Sequence, residues 1–507
     1  MNRSRSLKLG LVLSYVLLAI NTLYGLFVTP FILRQIGQAS YGVYKSVASL
    51  SASLAVLDLG LGATTTRYMA IYNAQGNKKD AGNFLAMIFV PFAILATVLG
   101  GLGGGAYFVA PTLYSQTFTA DQIGLSQQLI LVLVINMVLR LFENLLAGVV
   151  RGFEHFALSN GVKLASLIIK IVLIFVILPI TKNILFVVLS ETVIVVLGIV
   201  FFLWYTIKHL GVVPKLTHWD KAVFKESFAY TALMFVQTLT IQFNGNVDNI
   251  LIGAQVGATS VAVYSMALLV FSMYENLSGS VANMMLPNMA RRVVAGDSPE
   301  QLQRSVEKAG RLQFMLLAAA LGGFCVLGQD FYALWLGRAY ADCYYLTLIL
   351  IIPVTLPMVQ NVCLSVLRAQ NRMGYRTITL AISCVINIVI SLLGIYFWGY
   401  WGAAVGTAAA TISNVIFMNI YYHRVLKFRV FKMFYNIFKH TVLCAVAASL
   451  VTFILHHFFH GSWLSFLVNV AVYCGTYGIC LFVTLDKAQK DRLLQKVRRK
   501  PVCASES

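Results

Sequence analysis

Long apolar runs recur along the whole chain, and nothing else constrains its fold so strongly. They lie at approximately 9–33, 42–66, 82–111, 122–150, 159–180, 184–207, 226–252, 257–289, 310–336, 344–367, 374–397, 401–423, 438–458 and 463–485. A helix of roughly 20 residues crosses the hydrocarbon of a bilayer. Hydrocarbon offers no hydrogen bonds, so each backbone group must be satisfied within the segment or within a closed barrel. Continuous runs of this length predict an all-α integral membrane protein of about fourteen transmembrane helices. Charged residues make up only 11% of the chain, against roughly 25% in soluble proteins, so lipid must act as solvent.

The charge is uneven, with 38 Lys and Arg against 18 Asp and Glu. In a soluble chain a net +20 would suggest a nucleic-acid partner. Here the basic residues fall in alternate loops: Lys78-Lys79, Lys208 to Lys225, Arg291-Arg292, Arg372 to Arg376 and Arg424 to Lys439, plus both tails. Only four (Arg34, Lys45, Lys182 and Arg338) fall on the opposite side. That is the positive-inside pattern, and it predicts cytoplasmic termini and no nucleic-acid partner. The first run exceeds the roughly 7–15 residues of a signal-peptide core and reads as a retained helix.

The chain also repeats itself. Ile36-Gly37-Gln38-Ala39-Ser40-Tyr41-Gly42-Val43-Tyr44 returns as Val256-Gly257-Ala258-Thr259-Ser260-Val261-Ala262-Val263-Tyr264, 220 residues later. Val150-Arg151-Gly152 after the fourth run corresponds to Leu367-Arg368-Ala369 after the tenth. Six helices therefore repeat once, and an even number gives two lobes of the same orientation, able to rock about a cleft. The expected organisation is a six-helix lobe at 1–207, a cytoplasmic linker at 208–225, a second lobe at 226–424, two further helices in 425–486 and a basic tail at 487–507.

"FILRQIGQASYGVY" at 31–44, "LDLGLGATTTRYMA" at 57–70, "VVRGFEHF" at 149–156 and "VLRAQNRM" at 366–373 together resemble the polysaccharide transporters. These are the Wzx-type flippases for lipid-linked oligosaccharides, which share a superfamily with MATE exporters and lipid II flippases. The resemblance covers nearly the whole chain. It implies a MATE-like bundle in the bacterial inner membrane that flips an undecaprenyl-pyrophosphate-linked oligosaccharide, the unit of O-antigen, capsule or another exopolysaccharide. Implied partners are that lipid-linked glycan, the bilayer and the polymerase and assembly proteins that use the product.

Ionisable groups at membrane depth are expensive and invite functional readings. Asn136, Arg140, Asn144 and Arg151 share one face of the fourth helix, since residues four apart align. Arg140 either pairs locally with Glu143 or faces a wet cavity. Lys170 lies near mid-span, where snorkelling is hardest. Gln237, Thr240, Asn244 and Asp248 form a polar stripe on the seventh helix. Arg140 and Lys170, with rim residues Arg67, Arg151 and Arg368, form the expected anion path, because Arg and Lys bind phosphate oxygens. Asn136, Asn144, Gln237 and Asn244 are the expected cavity lining. Asp58, Asp248, Glu275 and Glu143 are candidates for H⁺ or Na⁺ coupling; the alternative is pairing to a basic residue for Asp58 and Glu275, the local pair with Arg140 for Glu143, and hydrogen bonding between helices for the stripe that ends in Asp248. Glu191 admits coupling or pairing to a basic residue.

No other cofactor is indicated. Eight Cys with no CxxC suggest neither disulfides nor zinc. His456, His457 and His460 have helical spacing but no neighbouring carboxylate or thiolate in sequence, so no metal site is expected. No GxxxxGK[ST] motif occurs. A multidrug exporter is the rival reading within the fold. A membrane polymerase or ligase would need larger extramembrane loops, so a non-enzymatic transporter is expected.

Overall fold

The structure, a computed structural model, describes residues 3–54, 61–221, 224, 245–370 and 372–484. Among them, all regular structure is helical. The helices are α1 (Arg3–Leu23), α2 (Thr29–Leu54), α3 (Leu61–Ala74), α4 (Lys78–Tyr114), α5 (Ala120–Gly152), α6 (Phe156–Thr181), α7 (Ile184–Lys208), α8 (245–255) and α9 (Ala258–Val294). They continue with α10 (Pro299–Trp335), α11 (Asp342–Val359), α12 (Asn361–Ala369), α13 (Gly374–Trp398), α14 (Tyr400–Val425), α15 (Val430–Phe458) and α16 (Trp463–Thr484).

Twelve helical stretches among the described residues are long and apolar enough to cross a membrane. One of them, Val12–Ser53, holds two of the expected runs, divided at Gly37 by φ 79° and ψ 165°. The run at 226–252 lies mostly outside the described residues. Several helices outrun their apolar cores. α10 begins at Pro299 rather than near 310, because Ser298 and Gln301 close a capping box and the first turns are rich in Gln, Glu, Arg and Lys. A π-helical turn at Tyr24–Val28 precedes Pro30. Pro30 cannot donate a regular bond to residue 26, and the wider turn absorbs the defect. The tenth run breaks at Gln360, just after Pro357, dividing α11 from α12.

The repeat is written into the backbone more fully than into the side chains. Gly37 and Gly257 are both left-handed, as are Gly76 and Gly296, Lys182 and Gly399, and Gly211 and Lys427. Hydrogen bonds recur with them. Asn77 N–H bonds Tyr72 O as Asp297 N–H bonds Arg292 O, and Phe153 N–H bonds Val149 O as Gln370 N–H bonds Val366 O. Helix termini leave carbonyls that such turns satisfy, and the turns recur where the side chains differ. Asn83 and Gln303, 220 residues apart, are buried and play parallel parts. Asn83 Oδ1 accepts from the backbone of Thr217 (2.7 Å) and His218 (3.1 Å), while Gln303 Oε1 accepts from Arg429 N (2.9 Å). Each anchors the chain that follows the sixth helix of its repeat, and in the first repeat this pins the start of the linker onto α4.

By contacts the chain forms two compact units. One comprises Met1–Leu269 and Thr377–Ala410, the other Val270–Arg376 and Thr411–Ser507. In the first, α5 packs on α3, α4 and α7 around Met69, Phe84, Phe92, Leu141 and Phe202. In the second, α10 packs on α15 and α11 around Phe314, Leu317, Met358, Val362 and Met433. Outward faces such as those bearing Phe108, Ile180 and Leu464 remain exposed, as lipid-facing surfaces should.

Candidate functional site

Two polar nuclei lie within the first unit. The first is built on α5, α6 and α7. A capping box of Thr119 and Gln122 starts α5, and the i, i+4 spacing then brings Asn136, Arg140 and Asn144 to one face. Left-handed Lys182 ends α6, and Asn183 caps α7 by accepting from Leu185 N at 2.9 Å. This tight hairpin brings Lys170 and Glu191 to similar depth.

Glu191 uses both oxygens. One binds Arg140, and the other accepts from Lys170 Nζ at 2.7 Å. Glu143 stands 3.9 Å from Arg140 and packs over Gly198 of α7, where an added Cβ would lie 2.8 Å from Oε1. Glycine at that point lets a carboxylate sit against the helix backbone. Lys170 Nζ also lies 5.9 Å from the centre of the Tyr24 ring, and Lys45 Nζ lies 5.5 Å from that of Tyr41. Arg140 and Lys170 balance Glu143 and Glu191 in formal charge; Lys45, within electrostatic reach of Lys170, tips the group positive.

A cavity of about 290 Å³ opens beside this network, lined in part by Ser51, Asn136, Arg140, Asn144 and Glu191. Asn136 is buried and donates to Val188 O at 3.1 Å, while its Oδ1 has no partner among the described residues. The arrangement can hold an anion, provided the anion competes with Glu191 for the two cations.

The second nucleus surrounds Asp248 on α8, which is 3% exposed. Its Oδ2 accepts from Tyr264 (2.7 Å) and Thr407 (2.5 Å), and its Oδ1 lies 3.3 Å from the Ser391 hydroxyl. Ser391 has one proton to share with Asn387 Oδ1 at 2.9 Å. Among the described residues no cation pairs with Asp248. Hydroxyl donors satisfy hydrogen-bonding capacity but carry no opposite charge. Together with Asn387 Oδ1 and the Ala403 carbonyl, 3.5 Å from Ser391, the set is all oxygen, the chemistry that suits a hard cation or a proton.

The other candidates lie apart. Arg67 on α3 is exposed, with its guanidinium 5.8 Å from the Tyr68 ring centre. Arg151 ends α5 close to Gly62 of α3. Arg368 ends α12 in the second unit and is exposed. Glu275, on α9 of the second unit, is also exposed. Asp58, Gln237, Thr240 and Asn244 lie outside the described residues. Sequence reasoning left Glu191 open between ion coupling and pairing with a basic residue without naming the partner; the structure pairs it with Arg140 and Lys170. Tyr264, Ser391 and Thr407 were missed because hydroxyl residues are common in membrane helices and carry no signal singly.

The architecture is that of the MATE and lipid II flippase transporters. It superimposes on lipid II flippase MurJ in an inward closed conformation with a TM-score of 0.67 at 13% identity, covering 92% of this chain and 98% of that one. An inward-facing multidrug resistance MATE family transporter of the MOP superfamily gives 0.63 at 14% identity, over 80% and 95% of the two chains. An outward-facing MATE transporter of that superfamily gives 0.55 at 14% identity, over 85% and 96%. At such identities the likeness concerns the fold. No curated protein matches the sequence. The family model described as "Polysaccharide biosynthesis protein" matches residues 92–345. The chain belongs to that polysaccharide biosynthesis family, and its fold is that of the flippases and transporters of the MOP superfamily.

Proposed function

We propose that the protein is a flippase, carrying an undecaprenyl-pyrophosphate-linked oligosaccharide across the bacterial inner membrane by alternating access of two six-helix lobes, 1–207 and 226–424. The observation that carries this reading is the convergence of Arg140 and Lys170 on one carboxylate beside a polar cavity at membrane depth. A diphosphate carries more negative charge than one carboxylate and presents more acceptor oxygens. It would displace Glu191 from the two cations, Arg140 binding in bidentate fashion and Lys170 as a point charge. Glu191 thus keeps the cations paired between cargoes, avoiding the cost of unpaired charges away from water. Arg67, Arg151 and Arg368 act earlier, drawing the anionic headgroup toward the path.

Asp248 is the coupling site in this reading, binding H⁺ or Na⁺ to neutralise a carboxylate that hydroxyls alone surround. For Na⁺, its carboxylate would join the Thr407, Ser391 and Asn387 oxygens and the Ala403 carbonyl. The product goes to the polymerases and assembly proteins of the glycan. The basic loops, with both termini, face the cytoplasm.

The test is deletion of the gene followed by analysis of undecaprenyl-linked material. Accumulation of one oligosaccharide unit at the cytoplasmic face, cleared by the wild-type gene but not by an Arg140→Ala/Lys170→Ala variant present at equal level, supports the reading. Unchanged surface glycans with heightened sensitivity to cationic drugs would instead make the protein an exporter.

A further inference from the structure

The second unit carries a groove of about 790 Å³ where α14 ends and α15 begins. Its lining is largely apolar, with Ile416 and Ile420 from α14 and Phe431 and Phe434 from α15, of which Phe431 is almost fully exposed. Its rim is cationic, with Arg424, Arg429 and Lys432. All three rim side chains are exposed, and none takes part in an ion pair among the described residues.

The walls are fixed. Left-handed Lys427 turns the chain, and buried Phe428 donates its N–H to Tyr422 O at 3.2 Å. His423 Nδ1 reaches Phe428 O at 3.1 Å, and Gln303 holds the Arg429 backbone at 2.9 Å. The concave shape therefore exists before any occupant arrives. The rim lies on the side that holds most of the chain's basic residues.

We propose that this groove binds an anionic glycerophospholipid of the cytoplasmic leaflet, its phosphate among Arg424, Arg429 and Lys432 and its first acyl methylenes against Phe431, Phe434 and Ile420. Charge complementarity selects this occupant. Three cations beside exposed apolar side chains match an amphiphile with one anionic end, and basic pockets between membrane helices on the cytoplasmic side suit such headgroups. A zwitterionic lipid would gain less from the rim, and a soluble anion would leave the apolar lining exposed.

The test uses the full-length protein, delipidated in detergent and titrated with phosphatidylglycerol or phosphatidylcholine, with bound lipid counted by native mass spectrometry. Wild type should favour phosphatidylglycerol about tenfold or more, taking each basic side chain to contribute as it does near an anionic membrane surface. The Arg424→Gln/Arg429→Gln/Lys432→Gln variant should lose that preference while binding phosphatidylcholine as before. A Lys78→Gln/Lys79→Gln/Lys208→Gln control should keep it. Equal loss in the control would reduce the effect to net charge and overturn the proposal. A second arm needs no variant: phosphatidylglycerol with a photoreactive acyl chain should label wild-type residues within 416–434. Labelling confined to other segments would overturn the site, and displacement of the probe by undecaprenyl diphosphate at lower concentration would assign the groove to the cargo instead.

Discussion

The α5–α6–α7 nucleus and the Asp248 nucleus stand at related places in the two copies of the repeat, yet they are built with opposite charge. Lys170 and Asn387 differ by 217 positions, as do Ser190, next to Glu191, and Thr407, while Tyr44 and Tyr264 differ by 220. In the first copy two cations share a carboxylate. In the second a carboxylate sits among hydroxyls and an amide. A cation held by a movable carboxylate can exchange that partner for a stronger anion. A carboxylate held only by hydroxyls has no counter-charge and can be neutralised by a cation or a proton. The two copies thus hold equivalent polar positions, and under the proposed function one takes an anion and the other a cation.

Crossed variants would break this comparison if both nuclei served one purpose. The largest effect is expected from Arg140→Ala/Lys170→Ala: export should fall more than tenfold, measured as surface glycan at matched protein level, while dependence on the ion gradient persists in the residual activity. Asp248→Asn should do the reverse. Its rate should fall severalfold and no longer respond to pH or Na⁺ gradients in proteoliposomes, with affinity for an undecaprenyl diphosphate probe unchanged. Loss of probe binding in Asp248→Asn would merge the two sites into one. Glu191→Gln should have a smaller, two-sided effect. Probe affinity should rise severalfold because the internal competitor has gone, and thermal stability should fall because two cations lose their shared partner; equal or weaker probe binding would leave Glu191 a purely structural counter-charge. Smaller again is Thr407→Val, which removes one hydrogen bond to a charged group, worth about 1.5–3 kcal/mol, and should appear as a lower melting temperature with probe affinity intact.

The fold was largely legible in the sequence because its determinants are local and additive. Run length and loop charge act segment by segment, and both survive without knowledge of packing. The repeat was legible at Gly37 and Gly257, where side chains were kept along with the turn. It was illegible at Lys182 and Gly399, or at Gly211 and Lys427, where the same left-handed turn is made by different residues. The candidate site divides in the same way. Arg140 and Lys170 stood out because a cation in an apolar run is costly wherever it points. Glu191 stood out for the same reason, but its partnership with both cations did not, because it forms only when three helices converge. The oxygens around Asp248 of α8 come from three other helices, α9, α13 and α14, and no spacing rule links residues 248, 264, 391 and 407.

The weakest substitutions sharpen the comparison at its root, in the turns that the two copies share. Gly37 and Gly257 sit at φ 79° and 121°, where a side chain meets its own backbone at a cost of roughly 1–2 kcal/mol. An added Cβ at Gly37 would meet nothing within 4 Å, and at Gly257 only Thr117 O at 3.4 Å. Gly37→Ala and Gly257→Ala should therefore cost the same modest stability through backbone strain alone, lowering the melting temperature by a few degrees each. Gly37→Asn should recover none of it, since ψ 165° places Gly37 in a region open essentially to glycine alone and outside the left-handed helical region that Asn tolerates. Unequal losses for the two alanine variants, or recovery of Gly37 with Asn, would mean that the turns are held by something other than backbone strain.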